Sequence, residues 1–195
     1  MNEKTDYLKV LKDLLNYNPK SIQEETDKQQ MIWLLNTYKE KAFDRDLMFG
    51  HFTSSAIVVD KTRKYVLMAY HNIYNSWAWL GGHADSEYNL EALARREVHE
   101  ETSLDGIRLL ENNISSIEIL TVERHIKKGK FVPSHLHYNV TYLYEGDMEK
   151  SIKLKEDENS GVKWIKIDDL YEHVYTDRGM YDIYMKSLER FVGRK

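Results

Sequence analysis

Residues Gly81 to Leu104 read GGHADSEYNLEALARREVHEETSL, and their pattern is the main indication of the fold. This stretch begins with a glycine pair and a polar loop. Apolar residues then recur at the spacing of an α-helix, at Leu90, Leu93, Ala94 and Val98. Asn89 is suited to the N-cap of this helix. The stretch therefore predicts a loop that leads directly into an amphipathic helix.

Three glutamates give this helix one acidic face. Glu97, Glu100 and Glu101 lie three and four residues apart, so their side chains project in the same direction. Clustered carboxylates repel one another, but they suit a hard cation such as Mg²⁺, which prefers oxygen ligands and often binds substrate phosphates as well. Taken alone, the glutamates more often mark a solvated helix face. Their assignment therefore depends on the residues around them.

The surrounding residues closely resemble the Nudix box, whose pattern is G-x5-E-x7-R-E-U-x-E-E-x-G-U, with U a bulky aliphatic residue. The matching positions are Gly82, Arg96, Glu97, Val98, Glu100, Glu101 and Leu104.

Two positions of the box differ from the family pattern. Tyr88 stands at the first glutamate, which in the family is largely a structural partner of the arginine, so Glu87 or Asp85 would have to supply that contact. Ser103 stands at the final glycine, which implies a helix end that does not rely on a glycine C-cap.

The resemblance implies a fold, a reaction and a set of site residues. The fold is a Nudix-type α/β/α sandwich with a mixed sheet at residues 47–195, preceded by a helical extension at residues 1–46. The reaction is hydrolysis of a small-molecule diphosphate by attack of water on phosphorus, with Mg²⁺, or Mn²⁺ in its place, offsetting the charge of the substrate. The implied metal ligands are Gly82, through its carbonyl group, with Glu97, Glu100 and Glu101. Arg96 would orient the glutamates, and the general base would be Glu100 or Glu158.

Composition limits the other classes of protein. The 195 residues suffice for one well-buried domain plus an appendage. The net charge of -4 argues against a nucleic-acid partner. The chain has no cysteine, which excludes thiolate chemistry and favours a cytoplasmic setting. We also expect no signal peptide and no membrane-spanning segment, because no apolar run is long enough.

Two amphipathic helices are predicted before the domain. The first, from about Glu3 to Tyr17, places Tyr7, Leu8, Leu11, Leu14 and Leu15 on one stripe. Ser21 and Glu24 fit a capping box that begins the second. We favour a hairpin that packs on the main domain over a lid or a dimer contact.

Several short runs with strand character follow. The runs 52–59 and 65–70 predict one hairpin, and the runs 116–126 and 131–145 predict another. On the last run, alternation places His135 and His137 on one face, where they could line a pocket or simply face water. We take His135, His137 and Arg124 as candidate substrate-binding residues. The acidic loop 155–161 resembles the place where several Nudix enzymes carry an extra glutamate, with Glu158 preferred over Glu156.

Other functions stay open at this stage. A Nudix-fold ligand-binding module with little turnover is the main alternative, because Tyr88 and Ser103 differ from the pattern. An isopentenyl diphosphate isomerase shares the fold but uses a catalytic cysteine, which this chain lacks. The sequence does not select among nucleotide, nucleotide-sugar and other diphosphates. It leaves a homodimer open as well.

Overall fold

The structure, a computed structural model of the chain, describes residues 6–127, 129–154, 159–174 and 179–192. The α-helices are α1 (Tyr7–Asn16), α2 (Ile22–Tyr38), α3 (Leu90–Thr102) and α4 (Met180–Val192), and two 3-10 segments span Lys39–Phe43 and Ile167–Glu172. The strands are β1 (Gly50–Asp60), β2 (Tyr65–His71), β3 (Ser76–Ala78), β4 (Leu80–His83), β5 (Arg108–Leu109), β6 (Ser116–Val122), β7 (His125–Lys127), β8 (Lys130–Val132), β9 (His135–Gly146) and β10 (Asn159–Lys166).

Strand β1 lies at the centre of a mixed sheet. It pairs antiparallel with β2 and β4, and it runs parallel to β9 along its whole length, from Gly50 beside Leu136 to Asp60 beside Gly146. The main strand order is β10-β2-β1-β9-β5, with β3 on β2 and β6 on β9. A parallel pair needs a long crossover connection, and here the segment between β1 and β9 contains α3.

Helices cover both faces of this sheet. Alternation along β1 sends Phe52, Ala56 and Val58 into a core shared with α1, α2 and α3. The intervening residues Ile57 and Val59 point to the other face, into a second core closed by α4. This arrangement confirms the predicted α/β/α sandwich with a mixed sheet.

The N-terminal hairpin packs into the first core, although its apolar stripe differs from the prediction. Val10 and Leu14 of α1 are buried, whereas Leu8 and Leu15 face solvent. The predicted stripe was therefore wrong at these two leucines. The reason is that the buried stripe of an amphipathic helix is set by what packs against it, and several leucine combinations have helical spacing. At the start of α2, the Ser21 hydroxyl accepts a hydrogen bond from the N–H of Glu24 at 3.1 Å, as predicted.

The predicted runs 116–126 and 131–145 are each divided into two strands. The run predicted at 131–145 breaks after Val132, at Pro133 and Ser134, since proline has no N–H to donate to a ladder. As a result, β7 and β8 form a separate hairpin, and β6 pairs with β9 beneath it. Among the described helices, none has both the length and the apolar character needed to span a bilayer.

Candidate functional site

A cleft of about 1440 Å³ opens beside helix α3. Helix α3 begins at Asn89, whose side chain accepts the N–H of Ala92 at 3.2 Å, which confirms the predicted N-cap. The Ser54 hydroxyl of β1 donates to the carbonyl of Leu90 at 2.6 Å and so attaches the start of the helix to the sheet. This placement directs the acidic face of α3 into the cleft. Glu97, Glu100 and Glu101 all line its wall.

The glycine pair on β4 lies directly against these glutamates. The N–H of Gly81 donates to Glu101 Oε2 at 3.1 Å. A Cβ atom on Gly82 would lie 2.5 Å from Glu97 Oε1, so a larger residue here would displace that carboxylate from its position beside the strand. On the other side, Asn159 Nδ2 donates to Glu101 Oε1 at 2.7 Å. Backbone and side-chain donors therefore fix Glu101 from two directions.

Arg96 contacts Glu87, the residue before Tyr88, which differs from the family pattern. Its guanidinium lies 3.6 Å from Glu87 Oε2 and 3.7 Å from Glu100 Oε1, so it bridges the loop and the acidic face. Asp85, the other residue that could have supplied this contact, instead accepts hydrogen bonds from two guanidinium nitrogens of Arg45, Nε and Nη2.

Tyr88 turns away from this contact. Its ring meets the ring of Phe43 edge-on at 5.0 Å and packs against the core. The tyrosine therefore has a packing role, while its neighbour Glu87 makes the contact to Arg96.

Helix α3 ends at Ser103 in the left-handed conformation, with φ +56° and ψ +16°. The Ser103 N–H donates to the carbonyl of His99 at 2.7 Å, as in a left-handed C-cap. The chain thus keeps the backbone geometry that glycine would favour, but with a serine at the position.

Four histidines meet on the floor of the same cleft. The ring nitrogens of His51, His83 and His137, from β1, β4 and β9, include atoms that lie within 4.8 Å of one another. His135 joins them, with its Nε2 atom 3.2 Å from Nε2 of His137. In the part of the chain that the structure describes, no other three metal-ligating side chains converge this closely, the three glutamates included.

Burial lowers the pKa of three of these imidazoles, those of His51, His83 and His137, and so keeps them neutral at pH 7. It lowers the pKa of His51 to about 4, with a further contribution from the charge of His135. Burial also lowers the pKa of His83 to about 3, assisted by Arg45, and that of His137 to about 2, assisted by His83.

A buried polar network continues below the histidines. Asn139 Oδ1 accepts hydrogen bonds from Thr53 Oγ1 at 2.9 Å and Ser55 Oγ at 2.8 Å. The Asn139 amide nitrogen donates to Thr141 Oγ1, which in turn donates to Glu118 Oε2 at 3.2 Å. These satisfied groups hold the floor of the cleft in one arrangement.

The structure brings together most of the predicted site residues. Gly82, Arg96, Glu97, Glu100, Glu101, His135 and His137 all line the cleft. Arg124 is exposed and is not part of the lining, and its backbone N–H donates to Ser134. Glu156 and Glu158 lie outside the described residues.

Sequence reasoning missed His51, His83, Arg45 and Asn159. One signal was available, because His51, Thr53 and Ser55 repeat the alternating polar pattern of His135, His137 and Asn139.

These features define an α/β/α protein with an acidic cleft built from one helix and a glycine-containing strand. The NUDIX domain model matches residues 51–185, and the chain therefore belongs to the Nudix family. This confirms the resemblance inferred from the box. Comparison with curated protein sequences finds no match to this chain.

Solved structures share the fold at low sequence identity. A NUDIX-family hydrolase from Clostridium perfringens aligns with a TM-score of 0.51 and 20% identity, covering 72% of this chain and 97% of that one. An Ap4A hydrolase from C. elegans gives a TM-score of 0.52 and 20% identity, over 69% of this chain and 93% of that one. An ADP-ribose pyrophosphatase from Streptococcus suis gives 0.51 and 15%, over 74% and 93%. These likenesses describe the fold alone.

Proposed function

We propose that this protein is a Mg²⁺-dependent hydrolase that cleaves the phosphoanhydride bond of a small-molecule diphosphate by attack of water on phosphorus. The observation that carries the proposal is the convergence of Glu97, Glu100 and Glu101 on one cleft wall beside the glycine pair. Membership of the Nudix family supports the same reaction class.

Two details of the cleft fit a hard cation. The first is the contact of the Glu97 carboxylate with Gly82, which places a side-chain oxygen next to the backbone of β4. The second is Asn159. Since its Nδ2 atom must face Glu101 in order to donate, its Oδ1 atom points elsewhere, and that oxygen is buried without a hydrogen-bond partner among the described residues. A buried acceptor on a residue that itself contacts Glu101 is a candidate ligand for Mg²⁺.

Glu97, Glu100, Glu101 and the carbonyl of Gly82 would hold the ion. When bound, Mg²⁺ would neutralise part of the charge of the diphosphate, which the glutamates would otherwise repel.

The remaining steps belong to side chains of the chain. Arg96 keeps Glu100 at a fixed position through their 3.7 Å contact. We assign the removal of the proton from the attacking water to Glu100, with Glu158 as the alternative base.

A nucleotide is the substrate class that the cleft favours. Aromatic side chains line the cleft, among them Trp77, Trp79 and Tyr184, and Trp79 meets Tyr184 edge-on at 5.1 Å. Nucleobases stack on such aromatic surfaces. The Ap4A hydrolase and the ADP-ribose pyrophosphatase that share the fold support this class as well.

We also propose that residues 1–46 are a structural extension of a Nudix domain at 47–195. Val10, Leu14, Met31, Leu34 and Leu35 of the extension share one core with α3, which supports a packing role over a lid.

The test is hydrolysis of a panel of nucleoside diphosphate derivatives by the purified chain with Mg²⁺. Release of phosphate or a mononucleotide is expected, with a loss of about 10²-fold or more for Glu101→Gln. Glu91→Gln is the matched control, since Glu91 belongs to the same helix but is outside the cleft lining. Equal turnover by wild type and Glu101→Gln would refute the assignment. Mg²⁺-dependent binding without turnover would instead favour a ligand-binding module.

A further inference from the structure

The proposed hydrolysis gives no chemical step to the four histidines on the cleft floor, two of which, His135 and His137, were predicted to bind substrate. They come from three neighbouring strands that fix their positions. His51 of β1 is in register with His137 of β9, and His83 of β4 is in register with Thr53 of β1. Strand pairing therefore holds three imidazoles at one point of the sheet, independently of the helix that carries the glutamates.

The hydrogen bonding of this cluster is incomplete. His51 has only 4% of its surface exposed, and apart from a weak interaction with the backbone of Leu47 its ring nitrogens have no hydrogen-bond partner among the described residues. A buried imidazole with so little hydrogen bonding is costly and points to a ligand.

His135 presents a lone pair to His137, one of these three histidines. Its Nδ1 atom lies 2.9 Å from the carbonyl oxygen of Pro133. Because a carbonyl can only accept, Nδ1 must carry the proton, and Nε2 of the neutral ring is left as the acceptor that faces His137. A hydrogen bond from the second imidazole nitrogen to a carbonyl is the usual outer contact of a histidine that ligates a metal.

The distances also suit a metal with nitrogen ligands. With bonds of about 2.0 to 2.1 Å, two ligand atoms of a tetrahedral zinc site are roughly 3.3 Å apart. The Nε2 atoms of His135 and His137 already lie 3.2 Å apart. The nitrogens of His51, His83 and His137 lie within 4.8 Å of one another, so modest side-chain rotations would bring them into the same shell.

We propose that His51, His83, His135 and His137 form a binding site for one divalent transition metal of the zinc class, separate from the carboxylate site for Mg²⁺. Imidazole suits Zn²⁺, Co²⁺ and Ni²⁺, whereas Mg²⁺ prefers oxygen. His51, His83 and His137 would supply three ligands, and a rotation of the His135 side chain would supply a fourth and close the coordination shell, as in a structural site. Because His83 follows Gly82 on β4, an ion held here would fix the strand that carries the glycine pair.

The experiment measures binding of Zn²⁺ and Co²⁺ to the metal-free full-length chain by calorimetry and by the visible spectrum of Co²⁺. We expect one Co²⁺ per chain with a four-coordinate spectrum. His83→Gln and His137→Gln should each weaken Zn²⁺ binding by at least about 10- to 100-fold. A loss of this size typically follows when only a residue that hydrogen-bonds to a metal ligand is mutated, so loss of the ligand itself should cost no less. His99→Gln, which changes an exposed histidine of α3, is the matched control and should bind as the wild type does.

Two further measurements separate this site from the hydrolytic one. The triple variant Glu97→Gln, Glu100→Gln, Glu101→Gln should keep the Co²⁺ spectrum while it loses hydrolysis. X-ray absorption of the zinc-loaded wild type should show a shell of imidazole nitrogens, a readout that needs no variant to fold. Oxygen-dominated coordination, loss of Co²⁺ binding only in the triple variant, or binding of inorganic phosphate to the cluster in place of metal would overturn the proposal.

Discussion

Lys186 of helix α4 provides a sharp test of how the fold is held together. Its Nζ atom lies 2.8 Å from Glu118 Oε1 on β6 and 3.0 Å from Glu24 Oε1 on α2. Both carboxylates are buried, Glu24 completely and Glu118 with 1% of its surface exposed. One ammonium group therefore serves two buried acids on two different elements.

The variant Lys186→Met removes the positive charge and keeps most of the side-chain volume. Deleting one partner of a buried ion pair typically costs about 3 to 5 kcal/mol, because the other charge is left uncompensated. Glu118 retains its contacts with Asn139 and Thr141, so we expect a loss of about 4 kcal/mol at pH 7 rather than complete unfolding. For a chain of this size, that loss corresponds to a decrease in Tm of roughly 8 to 16 °C.

The loss should depend on pH in a defined direction. Burial raises the pKa of Glu118 above its ordinary value of 4.5, and the charge of Lys186 partly opposes this rise. Without Lys186 the pKa in the folded state rises further. Above that pKa the Glu118 carboxylate is charged and destabilises the folded variant. As the pH falls through that pKa the destabilisation disappears, because Glu118 takes up a proton more readily in the folded state than in the unfolded state.

Urea unfolding of wild type and variant, followed by tryptophan fluorescence at pH 7 and at pH 5, measures both effects. The difference in unfolding free energy should be smaller at pH 5. Adding Glu118→Gln to Lys186→Met should recover part of the loss at pH 7. Lys166→Met, which breaks only the exposed pair with Asp168, should stay within about 0.5 kcal/mol of wild type. A loss below about 1 kcal/mol for Lys186→Met, or one that does not change with pH, would refute this account.

Three further predictions concern substitutions at Gly81 and Gly82, at Ser103, and at Asp60. Gly81→Ala would place a Cβ atom 2.5 Å from the carbonyl oxygen of Ser54 and should lower the free energy of unfolding in urea by about 1 to 3 kcal/mol. Gly82→Ala would contact only the movable Glu97 carboxylate and should instead lower kcat by about 10²-fold. Equal losses of stability in the two variants would contradict this. Ser103→Gly should raise Tm by roughly 2 to 4 °C, because glycine takes up φ +56° without the Cβ penalty of about 1 kcal/mol, and an unchanged or lower Tm would count against it. Burial alone would raise the pKa of Asp60, but the hydrogen bonds that its carboxylate accepts at the turn after β1 lower this pKa below 3.8. The stability that the charged carboxylate contributes is therefore present above pH 3.8 and is lost as the pH falls below that value. The acid unfolding of Asp60→Asn should accordingly be less steep in this range than that of the wild type.

Features that depend on short separations along the chain follow from the residues alone. The spacing of Leu90, Leu93, Ala94 and Val98 predicts which side of α3 is buried, and helix geometry then gives the direction of the three glutamates relative to that side. Asn89 fixes the start of the helix, because its side chain needs only the N–H three residues later. These features required no knowledge of the partner elements.

Features that depend on how distant segments meet follow only from the folded chain. Two consecutive left-handed residues, Asp85 and Ser86 with φ of +46° and +69°, turn the loop so that Glu87 reaches Arg96, and the residue types do not specify this turn. His51, His83 and His137 are more than thirty residues apart in the chain and meet only because β1 pairs with both β4 and β9. Their convergence is a property of sheet register, which long-range packing fixes and local sequence patterns do not contain.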